Sequence, residues 1–399
     1  MKSKNILLGL ELFAICFGAT VLVPILTNIP TSVVLFTAGV STLIMHYFAK
    51  GEYGAPIIFL GSSFAYIAPI LYVQQTWDMG SVFFALGLAG LVKVIFSRVV
   101  KYCGSELIAE KLFPPVVFGS MITLIGLTLV NTGLEMAGNN WLLAIITLVV
   151  AGVLMVFSKG IPNLFSVLIA VGVGYIVALL MGEITFTSLP LLRLPEFSAP
   201  RVNWQAALYM LPFALAPTME HFGDIFAISE ATAKPYYKSP GIHRTMLIDG
   251  IGTIFSLVGS VPNTTYSEGV SAVNLLKIKD AKVARNAGIW AILFSFIGVL
   301  SAFLQSIPIA VIGGVMVILF GSIATIGLKS FVREGVDFNQ SRNILTTALM
   351  FVFGLGNVKV WEFSGVGLAA LIGLSLQIIF LLYDSFKGNE PQQVELAEN

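Results

Sequence analysis

Gly259-Ser-Val-Pro-Asn-Thr-Thr-Tyr-Ser-Glu-Gly-Val-Ser-Ala-Val-Asn-Leu275 is a polar, interrupted stretch set among long apolar segments, and its first half carries a carboxylate, Glu268. The run after Pro262 is too short and too broken to cross a bilayer as an ordinary helix, which takes about 20 apolar residues. Polar, non-helical backbone at membrane depth is tolerated only where protein buries it or where it lines a cavity. An ionisable residue at that depth marks a functional site by default. The reading of the whole chain follows from asking what could surround this stretch.

The surroundings are those of a membrane protein. Of 399 residues, 57% are hydrophobic and only 11% charged, where a soluble chain carries roughly 25% charged residues. Net charge is +1, which excludes no partner by itself. Cys16 and Cys103 have no metal-type spacing, and the three histidines are scattered at 46, 221 and 243, so neither a disulfide framework nor a metal cluster is expected. The apolar run from Ile6 to Ile25 is too long for a signal-peptide core and lacks an A-x-A cleavage site, so it is read as a retained span.

Length, turn residues and charge predict fourteen spans, at 6–26, 31–49, 56–73, 81–99, 114–131, 140–157, 161–182, 205–228, 243–261, 264–276, 286–305, 308–327, 343–356 and 363–385. With the N-terminus in the cytoplasm, Arg193, Arg201 and Lys359 fall outside, and the other nineteen of the 22 Lys and Arg fall inside. A miscounted span would scramble these signs beyond the error, so the count is read as even, with both ends cytoplasmic.

The polar loop from Glu183 to Asn203 divides the spans into seven and seven. Pro115-Val-Val-Phe-Gly-Ser-Met-Ile-Thr-Leu-Ile-Gly126 lines up with Ala310-Val-Ile-Gly-Gly-Val-Met-Val-Ile-Leu-Phe-Gly321, with five matches in twelve, in span five of each half. An odd number of spans per repeat inverts the second copy. Inverted repeats with a pair of broken helices near the midplane are the architecture of secondary transporters. The expected fold is therefore an all-α polytopic bundle, a 7+7 inverted repeat with broken half-helices at segments 3 and 10.

Segment 3, Phe59-Leu-Gly-Ser-Ser-Phe-Ala-Tyr-Ile-Ala-Pro69, and segment 10, Pro262-Asn-Thr-Thr-Tyr-Ser-Glu-Gly269, each place small hydroxyl residues and an aromatic before an apolar run. That suits an extended strand leading into a half-helix, with two positive helix ends facing one site. The alternative, that Ser and Gly serve only close helix packing, leaves Glu268 without a place. In span 8, Glu220 and Asp224 lie four apart and share a helix face. A charged carboxylate at that depth is costly, and two together favour taking up a proton, which equips the pair to carry one. His221 points about 100° away from Glu220 and is read as a packing residue. Asp249 is read as a buried structural acid, and Lys93 as snorkelling to the cytoplasmic surface. With no other cation at depth beside them, Glu220, Asp224 and Glu268 make an acceptor-rich pocket. It suits a flat neutral ligand with N–H donors and carbonyl acceptors, with Phe64 and Tyr266 stacking on its faces, and it repels anions, which weighs against the rival reading of an anion exchanger or channel of the same general fold. No nucleophile–base pair or phosphate loop points to an enzyme.

These residues resemble the nucleobase–cation symporter family of uracil, xanthine and urate permeases, also called nucleobase–ascorbate transporters. The resemblance rests on Phe17-Gly-Ala-Thr-Val-Leu-Val-Pro24, Gly61-Ser-Ser-Phe-Ala-Tyr66, Glu220-His-Phe-Gly-Asp224, Pro240-Gly-Ile-His-Arg244, Pro262-Asn-Thr-Thr-Tyr-Ser-Glu268 and Ile307-Pro-Ile-Ala-Val-Ile-Gly-Gly314, dispersed over nearly the whole chain. It implies a core domain of spans 1–4 (residues 1–110) and 8–11 (204–305). It likewise implies a gate domain of spans 5–7 (111–203) and 12–14 (306–399, with the cytoplasmic tail), often dimeric through the gate. It implies base binding by Glu220 and Glu268, with backbone contacts from Phe64 and Ser267.

The sequence departs from the uracil-permease pattern in three places. Asp224 stands where uracil permeases have the second His of Glu-His-x-Gly-His; purine permeases carry Asp there. Ser267-Glu268-Gly269 replaces Gly-Glu-Asn, and Glu11-Leu12 replaces a Gln-His pair often seen in span 1. The expectation is a proton-coupled nucleobase importer of a bacterial cytoplasmic membrane, closest to uracil permeases, with uracil the first choice of base and a xanthine-like purine the second. Glu220 and Asp224 carry the proton, sodium is the alternative coupling ion, and neither a metal cofactor nor nucleic acid is expected.

Overall fold

The computed structural model describes residues 2–104, 111, 114–185, 190–356, 358–361 and 363–388. The domain boundary expected at 110/111 abuts residues outside this set, and the tail from 389 also lies outside it.

The first half runs α1 (Lys2–Thr27), α2 (Thr31–Phe48), β1 (Gly61–Ser62), a 3-10 turn at Phe64–Tyr66, α3 (Ile67–Thr76) and α4 (Met79–Cys103). It continues through α5 (Pro115–Thr128), α6 (Val130–Gly138), α7 (Trp141–Phe157), α8 (Ile161–Leu164) and α9 (Ser166–Leu180). The second half runs α10 (Trp204–Met210), a 3-10 turn at Leu211–Ala214, α11 (Leu215–Thr232), α12 (Ile242–Ile254), β2 (Asn263–Thr264), α13 (Ser267–Leu275), α14 (Lys282–Ser295) and α15 (Gly298–Gln305). It ends with α16 (Ile309–Arg333), α17 (Ser341–Leu355), β3 (Lys359–Val360), β4 (Phe363–Ser364) and α18 (Gly365–Gly388).

Among the described residues six helices are long and apolar enough to cross a membrane: Lys4–Thr27, Thr31–Phe48, Met79–Cys103, Pro115–Gly138, Ile309–Arg333 and Gly365–Phe386. Trp141–Phe157, Ser166–Leu180 and Ser341–Leu355 are apolar but shorter. The 132–139 segment, expected as a loop, is helical, because Gly133 and Ala137 let α6 lie close against α16. Segments 3 and 10 begin extended before their half-helices, and their two-residue strands pair, β1 with β2; a second short pair, β3 with β4, precedes α18.

The helices pack in two groups. In one, α2 lies on α14, α4 on α12 and α1 on α14. In the other, α16 lies on α5, α6 and α7, with α17 and α18 against α5. The α5–α16 contact is set by small residues. A side chain at Gly119 would meet the Gly327 carbonyl, and one at Gly126 would meet the Phe320 carbonyl. Without a hydrophobic driving force between helices in lipid, such close backbone approach supplies the attraction. The groups touch where α11 meets α5 and where the turn at Leu211–Ala214 meets α18.

Candidate functional site

The site forms where the two broken segments cross. Gly61 pairs with Thr264 and Ser62 with Asn263, and the Ser63 N–H donates to the Pro262 carbonyl at 3.0 Å. This short ladder satisfies backbone groups that would otherwise be unpaired at membrane depth. Side chains from neighbouring helices complete it. The Leu60 N–H donates to Thr42 Oγ1 (2.9 Å), Ser62 Oγ to the Thr20 carbonyl (2.7 Å), and Asn263 Nδ2 to Ser41 Oγ (2.6 Å). Tyr266 spans the crossing: its hydroxyl donates to the Ser62 carbonyl at 2.8 Å and its ring lies over Gly61. A Cβ at Gly61 would come within 2.5 Å of Thr20 Oγ1 and 2.6 Å of the Tyr266 hydroxyl, so only glycine fits there.

From this ladder the half-helices α3 and α13 run in sequence away from the crossing. The first N–H groups of a helix have no intrahelical acceptor and carry the positive end of its dipole. Phe64 and Ala65 at one start, and Ser267 and Glu268 at the other, line a common cavity of about 390 Å³, a size typical of small-molecule sites. Glu220, Gly223 and Asp224 of α11 form its next wall. The far wall comes from the other helix group: Phe118, Ile122 and Ile125 on α5, and Leu319, Ser322, Ile323 and Ile326 on α16. Lys329, Ser330 and Arg333, at the C-terminal end of α16, also line it.

All six residues expected at the site, Phe64, Glu220, Asp224, Tyr266, Ser267 and Glu268, lie around this cavity. The carboxylates are held differently. Thr264 Oγ1 donates to Glu220 Oε2 at 3.2 Å, and Ser267 Oγ donates to Asp224 Oδ1 at 2.8 Å. Glu268 lies in the first turn of α13, where the helix dipole favours an anion. Tyr266 is 4% exposed and its hydroxyl is engaged, so it offers the cavity only part of its ring.

Two residues differ from the sequence reading. Lys93 does not snorkel. It is fully buried, with Nζ 2.9 Å from Asp249 Oδ2 and 3.0 Å from the Asn263 carbonyl oxygen. A cation therefore does lie at depth behind the carboxylates. The Asp249 carboxylate that receives it also lies 3.5 Å from His221 Nδ1, and His221 Nε2 is 2.9 Å from Thr245 Oγ1. Phe118 was missed as a site residue. Its ring tip would lie 3.3 Å from a Cβ at Gly223, between the two α11 acids. The signal was present, because Phe118, Ile122 and Ile125 recur at helical spacing on one face.

This geometry is that of a ligand cavity between two helix groups, with acids on one wall, mostly apolar side chains on the other, and Lys329 and Arg333 at the end of α16. The family model described as Permease family, of xanthine and uracil permeases, matches residues 3–363. The chain belongs to this permease family. It is 40% identical over 395 residues to "Probable uracil permease" of Haemophilus influenzae, covering 95% of this chain and 94% of that protein. To "Uracil permease" of Bacillus caldolyticus it is 34% identical, covering 92% and 90%. Among solved structures the fold is shared with SLC26A9 (TM-score 0.70, 12% identity, 95% of this chain) and with the transmembrane domain of the cyanobacterial bicarbonate transporter BicA (TM-score 0.62, 14% identity, 94% of this chain). The chain spans 65% of the SLC26A9 chain and 96% of the BicA chain. The permease is thus a multi-pass membrane protein and a transport protein, not an enzyme.

Proposed function

We propose that this permease imports uracil together with protons across the cytoplasmic membrane of a bacterium. The observation that carries the reading is the placement of Glu220 and Glu268 around one cavity where two half-helices start. Uracil offers two ring N–H groups and two carbonyls. Carboxylates accept the first, free N–H groups at Phe64 and Ser267 serve the second, and Phe64 covers a ring face. The relatives named as uracil permeases support the choice of base. Asp224, buried and bonded to Ser267 between the two glutamates in sequence, is the acid assigned to the proton, with Glu220 as its partner. A protonated carboxyl enters a closed, dry state at far lower cost than a charged one.

In this reading the chain makes fourteen spans as an inverted 7+7 repeat with both termini in the cytoplasm. Residues 1–110 and 204–305 form the core and 111–203 and 306–399 the gate, and a homodimer assembles through the gate. The cavity mouth at Lys329 and Arg333 lies in a basic cluster counted as cytoplasmic, which supports an inward-open state. Transport follows as core and gate slide along the wall made by α5 and α16.

A second reading, a xanthine-type purine as cargo, is favoured by one feature, the aspartate at 224. Radiolabelled uptake of uracil, xanthine, urate, hypoxanthine and ascorbate, across pH and with or without sodium, tests both. Uptake of uracil that rises as external pH falls is expected. Uptake confined to purines refutes the choice of base, and uptake that needs sodium and ignores pH refutes the proton.

A further inference from the structure

Lys93 is not among the cavity-lining residues, yet it reaches the back of the site. Its ammonium sits between the Asp249 carboxylate and the Asn263 carbonyl, and Thr253 Oγ1 donates to the same carbonyl at 3.2 Å. Lys93 and Asp249 are both fully buried. Asn263 belongs to β2, one residue before Thr264, whose hydroxyl holds Glu220. A single charge is therefore linked through one strand to a carboxylate of the cavity.

The oxygens that hold this ammonium are those a small monovalent metal ion takes. In transporters with broken helices, carbonyls of the unwound backbone coordinate the coupling cation near the midplane. Here a carboxylate and the carbonyl of an unwound segment converge, and a lysine fills the position. A buried ion pair is weak evidence for stability, because desolvating both partners offsets their attraction. A cation at this carbonyl has a more direct consequence, since it ties β2 to α4 and α12, and β2 carries the Thr264 hydroxyl that holds Glu220 on α11.

We propose that Lys93 is a tethered cation occupying the place of a dissociable sodium ion, a positioning residue that makes base binding independent of sodium. The inference rests on the uracil-transport reading for its binding arm only. With the cationic position filled covalently, the proton is left as the coupling ion.

The test uses purified full-length protein, [14C]uracil, and sodium, lithium or choline chloride. Wild-type uracil affinity is expected to agree in the three salts within about twofold. Lys93→Ser shortens the side chain and leaves Asp249 and the Asn263 carbonyl facing an unfilled space. In choline it is expected to bind uracil about tenfold more weakly, and sodium or lithium is expected to restore most of that loss. Without any base, the melting temperature of Lys93→Ser is expected to rise with sodium while that of the wild type does not. Lys93→Met combined with Asp249→Asn removes both charges and is expected to melt at one temperature in all three salts.

A wild type that needs sodium overturns the proposal. So does a Lys93→Ser protein that matches the wild type in choline, or one that gains nothing from sodium or lithium. If the variant aggregates in choline and sodium keeps it monodisperse, the proposal stands; aggregation in every salt overturns it. A wild type that binds no uracil in any salt refutes the choice of base, and the base-free melting series then decides the role of Lys93.

Discussion

Replacing Glu268 by Gln separates ligand binding from folding, and the structure sets the size of both effects. The substitution keeps shape and removes charge. Among the described residues the Glu268 side chain hydrogen-bonds no other side chain, whereas Glu220 is tied to Thr264 and Asp224 to Ser267. The folded protein therefore loses only the interaction of the carboxylate with the α13 N-terminus, about 0.3–1 kcal/mol. A hydrogen bond from a base N–H to a charged acceptor contributes more, about 1.5–3 kcal/mol. The Gln amide oxygen can still accept with the strength of a neutral bond, about 0.5–1.5 kcal/mol, so the loss is about 1–1.5 kcal/mol, a roughly 5- to 13-fold rise in Kd. The expected outcome is a protein with a near-native melting temperature in the absence of base and a reduced stabilisation by added uracil. Equilibrium binding of [14C]uracil to the purified protein, with thermal melting on the same samples, measures both. Undiminished uracil binding by E268Q refutes the assignment of Glu268 to the base. A large fall in base-free melting temperature refutes the claim that this carboxylate is free for a ligand.

Asp224→Asn is expected to flatten the pH dependence of uracil uptake while changing uracil affinity less than E268Q does; a retained pH profile in proteoliposomes removes Asp224 from the proton path. Gly61→Ala forces a methyl group against Thr20 and Tyr266 and is expected to cost about 1–3 kcal/mol, seen as a lower melting temperature with base binding lost in the same variant. Ser267→Gly and Asp224→His are expected to be non-additive, with a coupling of about 0.5–3 kcal/mol in a double-mutant cycle of uracil binding, because each removes one end of the same hydrogen bond.

The long apolar helices, six of them among the described residues, were legible because the bilayer imposes a length on a span, and a run of apolar residues reports that length directly. The crossing was legible only in part. Gly61-Ser-Ser and Pro262-Asn-Thr-Thr read as extended breaks leading into half-helices, but their backbone, expected to be open to a ligand, instead pairs strand to strand, which the sequence pattern does not reveal. Lys93 was not legible. In sequence it is one basic residue in a span whose cytoplasmic end carries Arg98 and Lys101, a pattern that normally means snorkelling. Its partner Asp249 is 156 residues away, and only the packing of α4 on α12 brings the two together. Phe118 was hidden differently. The residues around it match α16 in sequence and so suggest internal repetition rather than a site, and the same helix builds the apolar wall.

The departures from the uracil-permease pattern at 224 and 267 looked like two independent substitutions along the chain. In the structure they are one contact, Ser267 Oγ to Asp224 Oδ1 at 2.8 Å. A glycine at 267 has no hydroxyl to give, and an aspartate at 224 without a donor would bury an unsatisfied carboxylate, at a cost of about 1–3 kcal/mol or more. The serine thus satisfies one oxygen of the aspartate, while Oδ2 has no hydrogen-bond partner among the described residues. Gly269 has a separate cause, because a side chain there would lie 3.2 Å from the Cys16 sulfur on α1. The serine–aspartate contact also has a mechanistic consequence. Ser267 lies next to Glu268 at the start of α13, so a change in the charge of Asp224 alters the hydrogen bond of the residue beside Glu268. In the proposed proton-coupled mechanism, a proton taken up by Asp224 on α11 would be felt on α13 through this one hydroxyl.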